Sequence, residues 1–250
     1  MRVLTLNTWQ ERGPWRERWE LVFEGLKTLQ PEVVLFQEVF NPQWVKDIAK
    51  RAGYASFVYA EKESGLAIFS HYPLVQSGSK ALAAQSANED YRRFVLFGQF
   101  QTPSGVLFVF NTHLSWMLED GAVRERQTAD IAAFMDQQAG AQESLIAGDF
   151  NDTAWSRAVR SLTQEKGFVD VYHALNPKDP GLTWTYDNLY TRDGRYALPD
   201  RRIDFIFTRH GRRILAQSLS ARCVFTEPDP RGIWASDHYG VVAEFEEIKG

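Results

Sequence analysis

The chain has 250 residues, 44% of them hydrophobic and 24% charged, the balance of an ordinary globular chain long enough to bury a large core. Its 28 Lys and Arg stand against 32 Asp and Glu, a net charge of −4, which excludes a strongly basic protein that coats nucleic acid or membrane by charge alone. One cysteine, Cys223, excludes an intrachain disulfide framework and a Cys-rich zinc site.

In chain order, Val3–Leu6 is a short strand-like run, and Trp15, Trp19, Val22, Phe23 and Leu26 recur at helical spacing up to Pro31. Val33–Phe36 has the length of a fully buried strand. Gln43–Ala52 predicts a second helix, closed by Gly53. Three β-like runs follow at Ala55–Ala60, Leu66–Ser70 and Leu74–Ser77. The turn residues Thr102-Pro103-Ser104-Gly105 between Phe94–Gln101 and Val106–Thr112 predict a hairpin. Gly121–Gln138 is a long helix, Ser144–Ala147 a strand and Trp155–Leu162 a helix. Asn176–Asp200 is a long loop, and Arg202–Thr208, Ile214–Phe225 and Tyr239–Phe245 are closing strands. The order predicts a mixed α/β chain with two sheets. With no repeat and no linker, residues 1–250 are expected to form one domain. No run approaches a membrane span of roughly 18 apolar residues. The opening MRVLTLNTW lacks the zones of a signal peptide, so a cytoplasmic location is expected.

Polar residues cluster where these strands end. Asn7 follows the first and Glu38 the second; Asn111 and His113 close the hairpin; Asp149 and Asn151 follow Ser144–Ala147. Asp204 lies within Arg202–Ile206, and Asp237 and His238 precede the last strand. Alone, each is an ordinary turn or cap residue. Together they form an inventory for phosphate chemistry. Carboxylates such as Glu38 and Asp237 suit a hard divalent cation, and a histidine oriented by a carboxylate, as His238 by Asp204, can take a proton from water near neutrality. His113 could donate hydrogen bonds to phosphoryl oxygens.

The segments Leu6-Asn7-Thr8-Trp9, Phe36-Gln37-Glu38-Val39, Asn111-Thr112-His113-Leu114, Gly148-Asp149-Phe150-Asn151-Asp152, Arg202-Ile203-Asp204-Phe205-Ile206 and Ser236-Asp237-His238 occur in that order. This series resembles the endonuclease/exonuclease/phosphatase superfamily over nearly the whole chain. The resemblance implies a four-layer α-β-β-α sandwich, two packed mixed sheets flanked by helices, and Mg²⁺-dependent hydrolysis of a phosphoester, with Mn²⁺ able to substitute. It implies Glu38, Asn7 and Asp237 on the metal side. Asp149 and Asn151 would position the water, the phosphate or a second metal, His238 would be oriented by Asp204, and His113 would contact the phosphate or assist the leaving group. Whether His238 or Asp149 activates water varies within the family; the His238–Asp204 dyad is the preferred base. Trp9 stands where abasic-site endonucleases usually carry an acid. Gln37–Phe40, Thr112–Leu114 and Gly65–Ser70 look more like the neutral sphingomyelinase and phospholipid-phosphodiesterase side. The expected partner is therefore a phosphoester, a phospholipid headgroup or small phosphodiester, taken by a monomer. Nuclease action on DNA or RNA is the alternative, and an inactive binding module of the same fold is a second. Glu89 and Asp90 are the candidates for a carboxylate partner of His113.

Five of the eight tryptophans, Trp9, Trp116, Trp155, Trp184 and Trp234, fall in or near the same loops and suggest an aromatic rim able to stack a base or hold a cationic headgroup. Asn111, Trp116, Trp184, Arg202 and Trp234 are the expected substrate contacts. The arginines at 192, 195, 201, 202, 209, 212 and 213 are either a basic rim for phosphates or a solvated hairpin. Arg124-Glu125-Arg126-Gln127 is expected to be a charged, solvent-facing stretch of helix.

Overall fold

The computed structural model describes every residue except 61, 194–197, 212 and 247–250. Strand β1 (Arg2–Asn7) leads through α1 (Trp15–Leu29) to β2 (Val33–Gln37), and α2 (Pro42–Ala52) follows. β3 (Ser56–Tyr59), β4 (Ala67–Ser70), β5 (Leu74–Ala81), β6 (Phe94–Thr102) and β7 (Gly105–His113) come next. The second half holds α3 (Gly121–Ala139), β8 (Ser144–Asp149), α4 (Arg157–Glu165), β9 (Val169–Asp170), α5 (Val171–Leu175), β10 (Asp204–Arg209), β11 (Gln217–Val224) and β12 (Gly240–Glu246).

The strands form two six-stranded sheets, ordered β11-β12-β1-β2-β4-β3 and β5-β6-β7-β8-β10-β9. Each sheet has one parallel pair at its centre, β1 with β2 and β7 with β8, flanked by antiparallel neighbours. A parallel pair needs a crossover; α1 supplies it in the first sheet and α3 in the second.

Period-two side-chain alternation sorts the apolar residues into three cores. Val3, Val33, Leu35, Val109, Leu145, Ala147, Ile206 and Val241 face the other sheet. Leu4, Leu6, Val34 and Phe36 point outward onto α1 and α2, and Phe108, Phe110, Ile146, Phe205 and Phe207 point outward onto α3 and α4. Helix, sheet, sheet, helix is the expected four-layer sandwich.

The same alternation carries polar residues into the seam between the sheets. Thr5 and Asn7 share the parity of Val3, Gln37 that of Leu35, and Asn111 and His113 that of Val109. Asp149 follows Ala147, and Asp204 precedes Ile206. Asn111 is fully buried. Its Oδ1 accepts from Gln37 Nε2 at 2.8 Å, and its Nδ2 donates to the carbonyls of Phe36 and Ala67 at 2.9 Å each. Gln37 also reaches Thr5 Oγ1 at 3.1 Å. Asn111 is thus a cross-sheet fastener with its amide fully engaged, not the substrate contact expected of it.

Several boundaries move for local reasons. α4 starts at Arg157 rather than Trp155 because Ser156 caps it, accepting from Val159 N. The short β9–α5 unit, absent from the sequence expectation, is organised by Asp170, which accepts from His173 N and holds Arg202 through two bonds of 2.9 and 2.7 Å. The long loop after Asn176 carries a 3₁₀ turn at Leu189–Asp193 and is tied down by a bridge between Trp184 and Arg201. Gly148 has φ +147°, and a Cβ there would lie 2.0 Å from the Thr112 carbonyl oxygen; only glycine lets β8 lie this close to β7 at the residue before Asp149.

Asn111→Ala would strand a buried Gln37 amide and two buried carbonyls. Urea unfolding should show a loss of at least about 1–3 kcal/mol, with KM for substrate little changed in the folded fraction.

Candidate active site

The central strands point their chemistry to one end of the sandwich. The parallel pairs end in Asn7 and Gln37 on one sheet and in His113 and Asp149 on the other. The antiparallel β10 begins there with Asp204, opposite Asp149, and β12 begins just after His238. A cavity of about 640 Å³ opens at this end, lined by Asn7, Glu38, His113, Asp149, Asn151, Asp237 and His238 among others. Glu38 and Asn151 turn away from their strands with φ of +63° and +49°, left-handed conformations that are uncommon outside glycine.

Asp149 is the hub. Its Oδ2 accepts from Asn7 Nδ2 at 3.0 Å and lies 3.4 Å from His113 Nε2 and 3.7 Å from His238 Nε2. Its Oδ1 accepts from Asn151 N at 2.8 Å. On its other side His238 bonds through Nδ1 to Asp204 Oδ2 at 2.9 Å. The Asp204 backbone N–H donates to Thr183 Oγ1, and Ser236 Oγ donates to the Asn7 carbonyl at 2.6 Å, fastening the Ser236–His238 loop to the end of β1.

Burial sets the electrostatics. It pushes the Asp149 carboxyl up to about 7, with Asp204 adding to the rise. Burial opposes the His238 imidazolium, yet Asp204, Asp149 and Asp237 outweigh it and hold this histidine well above its ordinary value. His113 goes the other way: burial, then Arg93 and His238, keep it well below and therefore neutral. Burial, with Glu38 nearby, lifts Asp237 to about 6.

Two groupings could hold a metal ion. Asp149, Asp204 and His238 bring one ligand atom each within 4.8 Å of one another, although His238 and Asp204 are already hydrogen-bonded together. Glu38 and Asp237, with Asn7 beside them, form a carboxylate alternative in which Asn7 turns Nδ2 to Glu38 while its Oδ1 accepts from Trp9 N. Neither Glu38 nor Asp237 has an ion-pair partner among the described residues; Glu38 receives only Asn7 Nδ2, at 3.4 Å, and Asp237 only the neighbouring Ser236 hydroxyl, at 3.2 Å. Two neighbouring carboxylates without an ion-pair contact among the described residues fit a hard divalent cation.

Not every expected contact is here. Trp116 and Trp184 line the cavity together with Trp9, which stacks on Tyr190 at 4.6 Å. Trp234 does not: it is 6% exposed, stacks on Tyr239 at 5.8 Å and lines a different cavity. Trp155 is 82% exposed and lies off the cavity wall. Arg202 is buried in its ion pair with Asp170, because its parity with Asp204 turns it inward. Glu89 pairs with Arg93 through bonds of 2.8 and 3.0 Å and accepts from Trp116 N, so it positions the arginine beside His113 rather than His113 itself. Arg209 pairs with Asp136, and Arg195 and Arg212 lie outside the described residues.

The expected solvent face of α3 is in part buried. Arg124 bonds Asp152 at 2.8 Å and the carbonyls of Ser115 and Met117, and Gln127 bonds Ser115, so both anchor the loop that carries Trp116. Sequence reasoning also passed over Arg18, which is 1% exposed. Its guanidinium donates to the carbonyls of Thr8, Trp9, Gln10, Arg12 and Ala235, tying the loop after β1 to the loop before Asp237. The available signal was its place on the apolar stripe of α1, between Trp15 and Val22. Tyr91, on the cavity wall, had no such signal, while Arg201, also on that wall, was legible only as one of the seven arginines of the basic run.

The chain resembles known proteins in both sequence and shape. It is 26% identical over 227 residues to an inositol phosphosphingolipids phospholipase C of Schizosaccharomyces pombe, a match covering 81% of this chain and 51% of that protein. The chain spans about half the length of the relatives it matches by sequence. D. rerio TDP2 complexed with a single-strand DNA product superposes with a TM-score of 0.82 at 20% identity, covering 98% of each chain. The human Nocturnin catalytic domain with a bound sulfate superposes at 0.77, with 20% identity and coverage of 99% of this chain and 94% of that one. Residues 4–238 match the model of the Endonuclease/Exonuclease/phosphatase family, and with its two-sheet sandwich and convergent polar strand ends the chain belongs to that family.

Proposed function

We propose that the chain is a divalent-metal-dependent phosphodiesterase in which water attacks phosphorus. One observation carries this reading: the His238–Asp204 pair, with Nδ1 held at 2.9 Å, turns Nε2 toward Asp149 in the cavity that Glu38, Asp237 and Asn7 also line. Asp204 fixes the ring so that Nε2 is the nitrogen that exchanges a proton with water. His113, neutral, presents Nε2 on the same side of Asp149 as a hydrogen-bond partner for a phosphoryl oxygen. Asn7 and Asn151 hold Asp149 in place from both sides, so the attacking water and the phosphate meet preorganised groups.

Glu38, Asp237 and Asn7 would hold Mg²⁺, or Mn²⁺ in its place. When bound, such an ion supplies Lewis-acid polarisation of a phosphoryl oxygen, and its charge offsets part of the carboxylate field that keeps His238 protonated.

The likeness to the phosphosphingolipid phospholipase C supports a phospholipid headgroup or small phosphodiester as substrate. A nucleic acid is the second reading, favoured by a cavity wall that carries the aromatic residues Trp9, Tyr91, Trp116 and Trp184 together with Arg12 and Arg201.

Purified protein should hydrolyse bis-p-nitrophenyl phosphate with Mg²⁺ or Mn²⁺, and EDTA should abolish turnover; metal-independent turnover would overturn the mechanism, and no turnover on any phosphoester would favour an inactive binding module. His238→Ala and Glu38→Gln should each lower kcat by about 10²–10⁴, and near-normal rates in either would remove that residue from the scheme. Trp116, 41% exposed, can be truncated without a core cavity. Trp116→Ala should raise KM for the true substrate, chosen from a panel of sphingolipids, phosphoinositides, DNA and RNA, while sparing the aryl ester. Equal effects on both would deny it a substrate contact.

A further inference from the structure

Among the described residues, the buried arginines are otherwise committed. Arg18 is spent on five carbonyls, and Arg93, Arg124 and Arg202 are bound to Glu89, Asp152 and Asp170. Arg201 is the exception. It is half-buried on the wall of the active-site cavity, its Nε is shielded from solvent with no hydrogen-bond partner, and it has no ion pair among the described residues. The charged groups that act on it most strongly are Asp149, Arg124 and Asp152, which puts it on the Asp149 side of the cavity.

Its position is also constrained. Arg201 and Trp184 exchange backbone hydrogen bonds of 3.0 Å in both directions, and the guanidinium lies over the indole of Trp184 with 4.7 Å from Cζ to the ring centroid. Stacking on one face fixes a guanidinium while leaving its N–H edges free, the geometry that suits two-point recognition of an oxyanion. A shielded cation with unused donors costs stability, and an arriving anion would satisfy it.

We propose that Arg201, carried on Trp184, is an anion-binding residue of the substrate pocket that takes phosphoryl oxygens beside Asp149. This rests on the phosphodiesterase reading for its substrate, but the anion site itself does not. The oxygens can come from the scissile phosphate or from a neighbouring one, and these sources make different demands on substrate. Trp184 acts through Arg201 as a positioning residue.

The test measures affinity for inorganic phosphate by calorimetry on the Mg²⁺-loaded protein. Kinetics are then followed on bis-p-nitrophenyl phosphate and on a thymidine dinucleotide with and without a 5′-phosphate. Arg201→Ala and Arg201→Gln should weaken phosphate binding about 10- to 100-fold, the range for a charged hydrogen bond, and raise KM more than they lower kcat. Arg201→Lys should recover part of the loss, and Trp184→Ala should lose more than Trp184→Phe. A rise in KM on all three substrates assigns Arg201 to the scissile phosphate; loss of the preference for the 5′-phosphorylated dinucleotide alone assigns it to a neighbouring one. Wild-type phosphate affinity and KM in both Arg201→Ala and Arg201→Gln would overturn the proposal, as would Arg201→Lys behaving like Arg201→Ala with a matching fall in Tm. If the wild-type protein cleaves none of the substrates yet phosphate binding still depends on Arg201, the phosphodiesterase reading fails and the anion site stands.

Discussion

One buried carboxylate oxygen organises this end of the molecule. Asp149 Oδ2 sits within 3.0 to 3.7 Å of Asn7, His113 and His238, and these arrive from both sheets. A charged oxygen taken out of water is costly unless it is surrounded by donors, so the two sheets must close in the register that brings those donors together. The close approach of β7 and β8 at Gly148 and the cross-sheet bonds of Asn111 hold that register. Stability of the sandwich and geometry of the site are therefore the same constraint seen from two sides.

The surrounding charges extend this logic outward. Asp204 bonds His238, and the acids around the imidazole hold it protonated, while Arg93 helps keep His113 neutral. Two histidines of the same type, both buried against one aspartate, are thus driven to opposite protonation states by their neighbours. Glu89 sets Arg93, Asp152 sets Arg124 and Asp170 sets Arg202. Each such pair pins a loop or strand end whose next residues line the cavity. The carbonyls of these loops are taken up by Arg18 and Arg124, which ties irregular backbone down along the rim.

The site also holds features that the fold alone would not favour. Glu38 and Asn151 take left-handed backbone conformations just after their strands, and Glu38 and Asp237 stand without an ion-pair contact among the described residues. Such local costs are characteristic of places where chemistry, rather than folding, selects the residue.

Alternation along β1, β2, β7, β8 and β10 made the inner and outer faces legible in the sequence, and the ordered polar strand ends made Asn7, Glu38, His113, Asp149, Asp204, Asp237 and His238 legible as a group. Both follow from local rules, since a period of two and a strand end are properties of neighbouring residues. What the sequence could not separate were residues of one type with different partners. Asn111 and Asn7 both end strands, yet one fastens the sheets and the other meets Asp149. Arg201 and Arg202 are adjacent, yet one faces the cavity and the other is sealed against Asp170. Trp184 and Trp234 both belong to loops near the motifs, yet they line different cavities. Those distinctions depend on which distant residue supplies the countercharge, carbonyl or ring, and contacts between residues far apart in the chain exist only once the two sheets have packed.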